Sequence, residues 1–170
     1  MRCAEKVPCP CCSHTAYKVI GSRERKVRED SGESRTFIIR RLRCRGCEKI
    51  HHELPDVIVP YKRYGADVIE EATRPTGHLT VAADESTLYR WRYWFFDLID
   101  YWLFILQSLF IQFRENETSA IDLSSRKLPA HERIGQWFGA EGGWLAKIVR
   151  PVANHHFWIH TRSAFLSNSP

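Results

Sequence analysis

Cys9-Pro10-Cys11-Cys12 and Cys44-Arg45-Gly46-Cys47 are the two stretches that decide how this chain is read. Cys9/Cys12 and Cys44/Cys47 each have the C-x-x-C spacing, and thirty-one residues separate the pairs. A two-residue gap lets both thiolates of a tight turn face one ion, and two such turns complete a tetrahedral Zn²⁺ shell. Between them, Tyr17-Lys18-Val19-Ile20 leads into Gly21-Ser22, read as a turn. Arg23 to Arg28 and Thr36 to Arg43 then flank the polar break Glu29-Asp30-Ser31-Gly32-Glu33. Beta-branched and aromatic residues around such a break predict a β-hairpin. The layout is that of a zinc ribbon, a module that binds nucleic acid or a protein partner far more often than it catalyses.

The aliphatic residues of this region are few: Val19, Ile20, Val27, Phe37, Ile38, Ile39, Leu42 and Ile50. Ordering each residue costs about 1–2 kcal/mol of backbone entropy, so burial here needs help. A structural zinc site contributes on the order of 10–16 kcal/mol in small peptides. All six cysteines fall in the first 47 residues, and no apolar signal core follows Met1-Arg2-Cys3. A reducing, cytoplasmic setting with bound metal is therefore expected over a disulfide framework. Cys3 and Cys11 are left over, and Cys11 stands as an alternative to Cys9 or Cys12. His51 and His52 follow the second pair closely but read as surface or packing residues beside a complete four-cysteine set.

The net charge of +5 is unevenly spread. Residues 1–64 hold 15 Lys/Arg against 8 Asp/Glu, while residues 65–170 hold 10 against 12. A cationic front end suits a phosphate backbone. Strand alternation puts Arg41, Arg43 and Arg45 on one face as a phosphate-contacting ridge; charge that keeps an edge strand soluble is the plainer account.

Pro55 and Pro60 punctuate the exit from the ribbon, and Tyr61-Lys62-Arg63-Tyr64 opens a new segment. Ala66, Val68, Ile69 and Ala72 have helical spacing, ended by Pro75 and Gly77. Thr80-Val81-Ala82-Ala83 reads as a second short helix, and Asp84-Glu85-Ser86-Thr87-Leu88 as the capped start of a longer one. That order is a helix-turn-helix over 61–96, with its last helix in the major groove. Lys62, Arg63, Ser86, Thr87, Tyr89, Arg90 and Arg92 are its expected DNA contacts.

Leu88, Trp91, Phe95, Leu98, Trp102, Ile105 and Leu109 recur every three or four residues as one apolar stripe. From Trp94 to Phe113 the chain is apolar almost all round, long enough to span a bilayer. Asp97, Asp100, Gln107 and Gln112 within it favour instead a buried central helix, or one completing its burial in a homodimer through 94–113. An all-round apolar helix needs cover on several sides. Ile134, Trp144, Leu145, Ile148, Val149, Val152 and Trp158 are among the residues expected to supply it. Glu115 to Lys127 reads as a loop. His155, His156 and His160 read as packing or helix-end residues. No nucleotide loop, nucleophile–base pair or acidic catalytic triad is found, so neither an enzyme nor a small-molecule substrate is expected.

Several strings carry a resemblance. Cys9-Pro10-Cys11-Cys12, Arg40 to Cys47, His51-His52-Glu53-Leu54-Pro55-Asp56 and Ile58-Val59-Pro60-Tyr61-Lys62-Arg63-Tyr64 resemble an uncharacterised bacterial family, known mainly from Bacillota, filed as a domain of unknown function. Glu85-Ser86-Thr87-Leu88 before Arg90-Trp91, and the ending Trp158 to Leu166, look similar too. The front half also resembles, more loosely, the zinc-ribbon plus helix-turn-helix heads of transposases, which bind transposon ends while a separate domain cuts. That catalytic domain has no counterpart here, and Cys11 departs from the glycine often found between knuckle cysteines.

The expectation is thus an α+β chain: a zinc-ribbon β-hairpin module (1–60), a helix-turn-helix (61–96) and a helical packing or oligomerisation region (97–170). Cys9, Cys12, Cys44 and Cys47 hold structural zinc, and double-stranded DNA is the partner, in a transposase-like accessory or regulator of a mobile element. The alternative is an adaptor whose ribbon docks a transposase, polymerase or phage protein.

Overall fold

β1 (Tyr17–Arg28) and β2 (Ser34–Cys44) form one long antiparallel hairpin, from Tyr17 opposite Cys44 to Arg28 opposite Ser34. Its tip closes where the Glu29 amide donates to the Glu33 carbonyl (2.9 Å) and Gly32 takes a φ of 86°. The computed structural model describes residues 7–75, 80–113, 128–139, 141–159 and, for the backbone alone, 164–167. The turn expected at Gly21-Ser22 is not formed. The strand runs straight through, and the register shift between Val19 and Gly21 is absorbed as a bulge. Gly21 supplies the φ of 143° that this irregularity requires.

β3 (Ile50–Pro55) adds antiparallel to β2, with Arg40 opposite Glu53 and Arg43 opposite Ile50. β4 (Ala164–Ser167) runs parallel to β3, giving the sheet order β1-β2-β3-β4. Four helices lie between β3 and β4: α1 (Ala66–Thr73), α2 (Glu85–Phe113), α3 (Ala130–Phe138) and α4 (Trp144–Asn154). The expected α+β class, sheet first and helices after, is what the chain adopts.

Period-two alternation gives the sheet two different faces. Val27, Ile39 and Leu54 are buried on one of them and join the helical core. On the other, Leu42 packs with Val7 and Tyr17 beside the cysteines. The helical core is aromatic-rich. Phe95 lies 5.4 Å from Trp144, and Trp102 stacks on Trp158 at 5.6 Å. Leu145, Ile148, Val149 and Val152 of α4 are fully buried against it. Each such side chain contributes about 1.5–3 kcal/mol. Val27, Ile69, Trp91, Trp102 and Ile148 belong to one continuous cluster, so the segments 1–60, 61–96 and 97–170 share a core.

α4 begins at Gly143, which has no side chain to cap it. The cap comes from α1. The buried carboxylate of Glu70 accepts from the amides of Gly143 (2.9 Å) and Leu145 (3.1 Å). Burial pushes the Glu70 carboxyl up, partly offset by those two amides.

The short helix expected over Thr80-Val81-Ala82-Ala83 is absent. These residues are irregular, and the Ala82 amide is spent on the Asp30 carbonyl of the hairpin tip (3.1 Å). Four residues are too few to nucleate a helix against that bond. The trihelical order of a helix-turn-helix is therefore not present among the described residues. α2 does start as its sequence suggests, with Asp84 accepting from the Thr87 amide at 2.8 Å.

Among the described residues the all-round cover expected for α2 is also incomplete. Trp91, Phe95, Trp102, Ile105 and Leu109 are buried, but Tyr89, Tyr93, Phe96, Phe104, Ile111 and Phe113 are exposed. By length and composition α2 would suffice to cross a membrane. His155 and His156 are exposed, with the His155 ring 5.2 Å from Phe113. The loop expected over 115–127 and His160 lie outside the described residues.

Candidate metal centre and basic face

The two cysteine turns are copies of one another. The Cys9 amide donates to the His14 carbonyl (2.9 Å) and the Ser13 amide to the Cys9 carbonyl (2.9 Å). Likewise the Cys44 amide donates to Lys49 (3.0 Å) and the Glu48 amide to Cys44 (3.1 Å). Ser13 and Glu48, each just after the second cysteine, take left-handed φ values of 60° and 59°. Two residues into each turn an amide points back at sulfur: Cys11 to Cys9 Sγ (3.4 Å) and Gly46 to Cys44 Sγ (3.3 Å).

This correspondence pairs Cys9 with Cys44, Cys12 with Cys47, and Cys11 with Gly46. A Cβ at Gly46 would meet His14 Cβ at 3.0 Å and Cys12 Sγ at 3.2 Å, so only glycine lets the turns approach so closely. Cys11 occupies the equivalent place in the first turn and is exposed.

The sulfurs of Cys9, Cys12, Cys44 and Cys47 all lie within 4.8 Å of one another, with no disulfide. Cys9 and Cys47 are 3.6 Å apart, and Cys12 and Cys44 3.5 Å. A tetrahedron with metal–sulfur bonds of about 2.3 Å has edges of about 3.8 Å. The donor set therefore fits a bound metal. Burial, foremost, raises the Cys9 thiol to about 12. Burial also acts on Cys44, but the amides of Cys47 and Gly46 and the neighbouring thiols outweigh it and bring Cys44 down to about 6. Without a cation the crowded sulfurs thus favour one thiolate held by its neighbours. A divalent ion removes that restriction.

His51 is the residue the sequence reading passed over. Its Nε2 is 3.3 Å from Cys9 Sγ, and the side chain is 1% exposed. Cys9, Cys11 and His51 form a second donor grouping that shares Cys9 with the first. The missed signal was β3 itself, since Ile50-His51-His52-Glu53 lacks the β-branched run that marks a strand. Once β3 pairs with β2, alternation aims His51 at the cysteines and His52 at the opposite face.

That opposite face carries cations. Arg41 faces His52 across β2 and β3, and Arg23 and Arg25 follow on β1. Burial lowers the His52 pKa, and Arg23, Arg41 and Arg25 lower it further. Arg25 is lowered by burial and then by Arg23. Its guanidinium donates to the Lys62 carbonyl at 2.8 Å, tying the sheet to the segment that precedes α1. There Lys62 sits over the Trp94 ring at 4.2 Å, its pKa lowered by burial and then by Arg90. Arg23, Arg25, Arg41, Lys62 and Arg90 thus form one cationic chain beside a His52 held toward its neutral form, with Arg23 acting on Arg25 and Arg90 on Lys62. Among the described residues none of them is in an ion pair. Arg40, by contrast, is neutralised by bidentate contact with Glu53.

The expected DNA contacts divide. Arg41, Lys62 and Arg90 lie on this face. Arg43 is exposed at the end of β2, and Arg45 lies beyond the strand in the second cysteine turn, so the ridge of three is broken. Arg63 is exposed. Ser86 and Thr87 bond to Asp84, and Arg90 donates to Thr87 Oγ1 at 2.9 Å. Tyr89 is free on the surface at 72% exposure. Arg92 is committed to structure, its Nε donating to the Ala72 carbonyl at the end of α1 (3.0 Å).

Residues 9–91 match a domain of unknown function (DUF6431). The match fits the uncharacterised family that the motifs resemble. No curated protein and no solved structure matches the chain. The DUF6431 stretch opens on the first cysteine of the cluster and closes on Trp91, so it contains all four cysteines and every member of the cationic chain.

Proposed function

We propose that this chain is a non-enzymatic, zinc-held protein that binds double-stranded DNA, as an accessory or regulator of the kind that serves a mobile element in the cytoplasm. Zinc is the ion, because four thiolates in a closed tetrahedral set suit it and leave no open position for chemistry. The observation that carries the reading is the unneutralised cation chain from Arg23 to Arg90. Repulsion among these groups is relieved by a polyanion laid across them, and a phosphate backbone is such a polyanion. Arg90 at the start of α2 would then stand nearest the groove.

A duplex gel-shift series tests this. Retardation is expected at low ionic strength and should fall steeply as salt rises, because bound cations release counterions. Arg25→Ala with Arg41→Ala should weaken binding at least tenfold and flatten the salt dependence. No retarded duplex at low salt defeats the proposal. A second reading, the protein adaptor, is supported by Val19 and Ile38, which are 53% and 63% exposed on the hairpin away from the cation chain. One stoichiometric protein partner retained after nuclease treatment, and lost in Ile38→Asp, would favour it.

A further inference from the structure

Five of the six exposed large apolar residues of α2, all but Phe113, share one face with Asp100 and the half-buried Gln107. Tyr89, Tyr93, Phe96, Asp100, Phe104, Gln107 and Ile111 fall in one strip, about 80° wide at roughly 100° per residue. The strip is symmetric about Asp100. Phe96 and Phe104 are four residues either side of it, Tyr93 and Gln107 seven, Tyr89 and Ile111 eleven. Tyr89, Tyr93, Phe96, Phe104 and Ile111 are 56–72% exposed.

We propose that this strip pairs with the same strip of a second copy of the chain, antiparallel, about a two-fold axis at Asp100. A two-fold interface requires that if one residue meets another, the reverse contact also forms. In an antiparallel pair Phe96 meets Phe104, Tyr89 meets Ile111 and Tyr93 meets Gln107, each twice. The pattern is self-complementary in that register and not in a parallel one, where Asp100 would still meet Asp100 but each aromatic would meet only itself.

The charge at the axis is already balanced. Arg133 Nη1 holds Asp100 Oδ1 at 2.5 Å, and the Arg133 side chain is 12% exposed against 76% for Asp100. Two Asp100–Arg133 pairs therefore meet at the dyad as an alternating set of four charges rather than as two bare carboxylates. Area also suffices. Each large side chain offers on the order of 100 Å², so five per copy give roughly 1,000 Å² in total, about what a specific interface needs. The same carboxylates argue against lipid as the occupant of this face.

The pairing has a geometric consequence for the cation chain. Arg90 lies about 80° round the helix from the midline of the strip at Asp100, and a two-fold axis displays both copies of it on the same side. Along the axis of α2 the two Arg90 positions are roughly 30 Å apart, close to one turn of duplex DNA. The pairing itself stands without the nucleic-acid reading, because mass alone detects it.

Light scattering over a concentration series, on the metal-loaded full chain, is the test. The wild type should give twice the 19.9 kDa chain mass. Phe96→Glu and Phe104→Lys should each be monomeric, with circular dichroism and metal content unchanged. Mixed in equal amounts, the two variants should regain the dimer mass, since position 96 of one meets position 104 of the other. Tyr89→Lys mixed with Ile111→Asp provides the same exchange at the ends, should a central variant fail to fold. A monomeric wild type that pellets with phosphatidylcholine vesicles overturns the proposal in favour of a membrane. Single variants that remain dimeric, or mixtures that remain monomeric, overturn the register.

Discussion

The two ends of this molecule are held together by different physics. At the cysteine end, Val7 and Leu42 are buried with Tyr17 packed against them, and among the described residues little else apolar surrounds the cysteine turns. At the helical end, one aromatic and aliphatic cluster runs from Val27 through Trp102 to Trp158. On the proposed zinc reading, coordination organises the first and burial the second. The hairpin joins them: its knuckle end ends in cysteines, while its tip puts Val27 and Ile39 into the helical core. The two halves of one sheet should therefore respond separately to the same insult.

Metal removal gives the largest separation. A chelator, or Cys44→Ser, withdraws a contribution on the order of 10 kcal/mol from the knuckle end. Amide-exchange protection at Ser13, Arg45 and Glu48 should vanish, since their bonds exist only in the folded turns. The helical circular dichroism should persist, because Trp102, Ile148 and Val149 belong to the helical core, which is separate from the small apolar cluster beside the cysteines. Loss of helix in step with metal would erase the distinction, and the sheet would have to be counted as one cooperative unit.

A smaller effect of the opposite kind comes from Glu70. Glu70→Ala strips two amides at the start of α4 of their acceptor in a buried place, at a cost of about 2–4 kcal/mol. Thermal unfolding of the helical region should shift down accordingly while metal content stays unchanged. A shift within error would mean that water or another acceptor reaches Gly143 and Leu145.

What the sequence made legible follows the same division. The cysteine spacing, the hairpin break at Glu29 to Glu33, the cap at Asp84 and the buried stripe of α2 are local signals, and all appear in the structure. What escaped depended on pairing. Gly21-Ser22 looks like a turn until the register with Arg41 makes it a bulge. His51 and His52 look alike until β3 sends one to Cys9 and the other to Arg41. Thr80 to Ala83 has acceptable helical residues, but its amide goes to Asp30, some fifty residues earlier. Arg92 resembles a DNA contact on a helical wheel, and only the position of α1 reveals it as a brace. The cation chain was half visible: β2 and the start of α2 were legible, while Arg23 and Arg25 needed the strand register to join them.

Acid should break both ends, but through different groups, and this separates them most finely. At the knuckle, protonation of thiolates releases the ion. At the start of α2 the responsible group is Asp84. The Ser86 hydroxyl, then the amide and hydroxyl of Thr87, lower its carboxyl to about 2. Unfolded, it titrates near the ordinary value of about 3.9. The folded chain therefore binds this proton less readily than the unfolded chain does. Its stabilisation is complete above the ordinary value and is lost as pH falls from there through about 2. Asp84→Asn keeps a capping oxygen but cannot titrate. Protection of the Thr87 amide should be greater in the wild type at neutral pH, and on acidification should fall toward that of the variant. Metal release is common to both chains and cancels in the comparison. Equal protection in the two chains at every pH would show that Asp84 carries no charge-dependent share of the helix start, leaving the cysteine end as the acid-sensitive part of the fold.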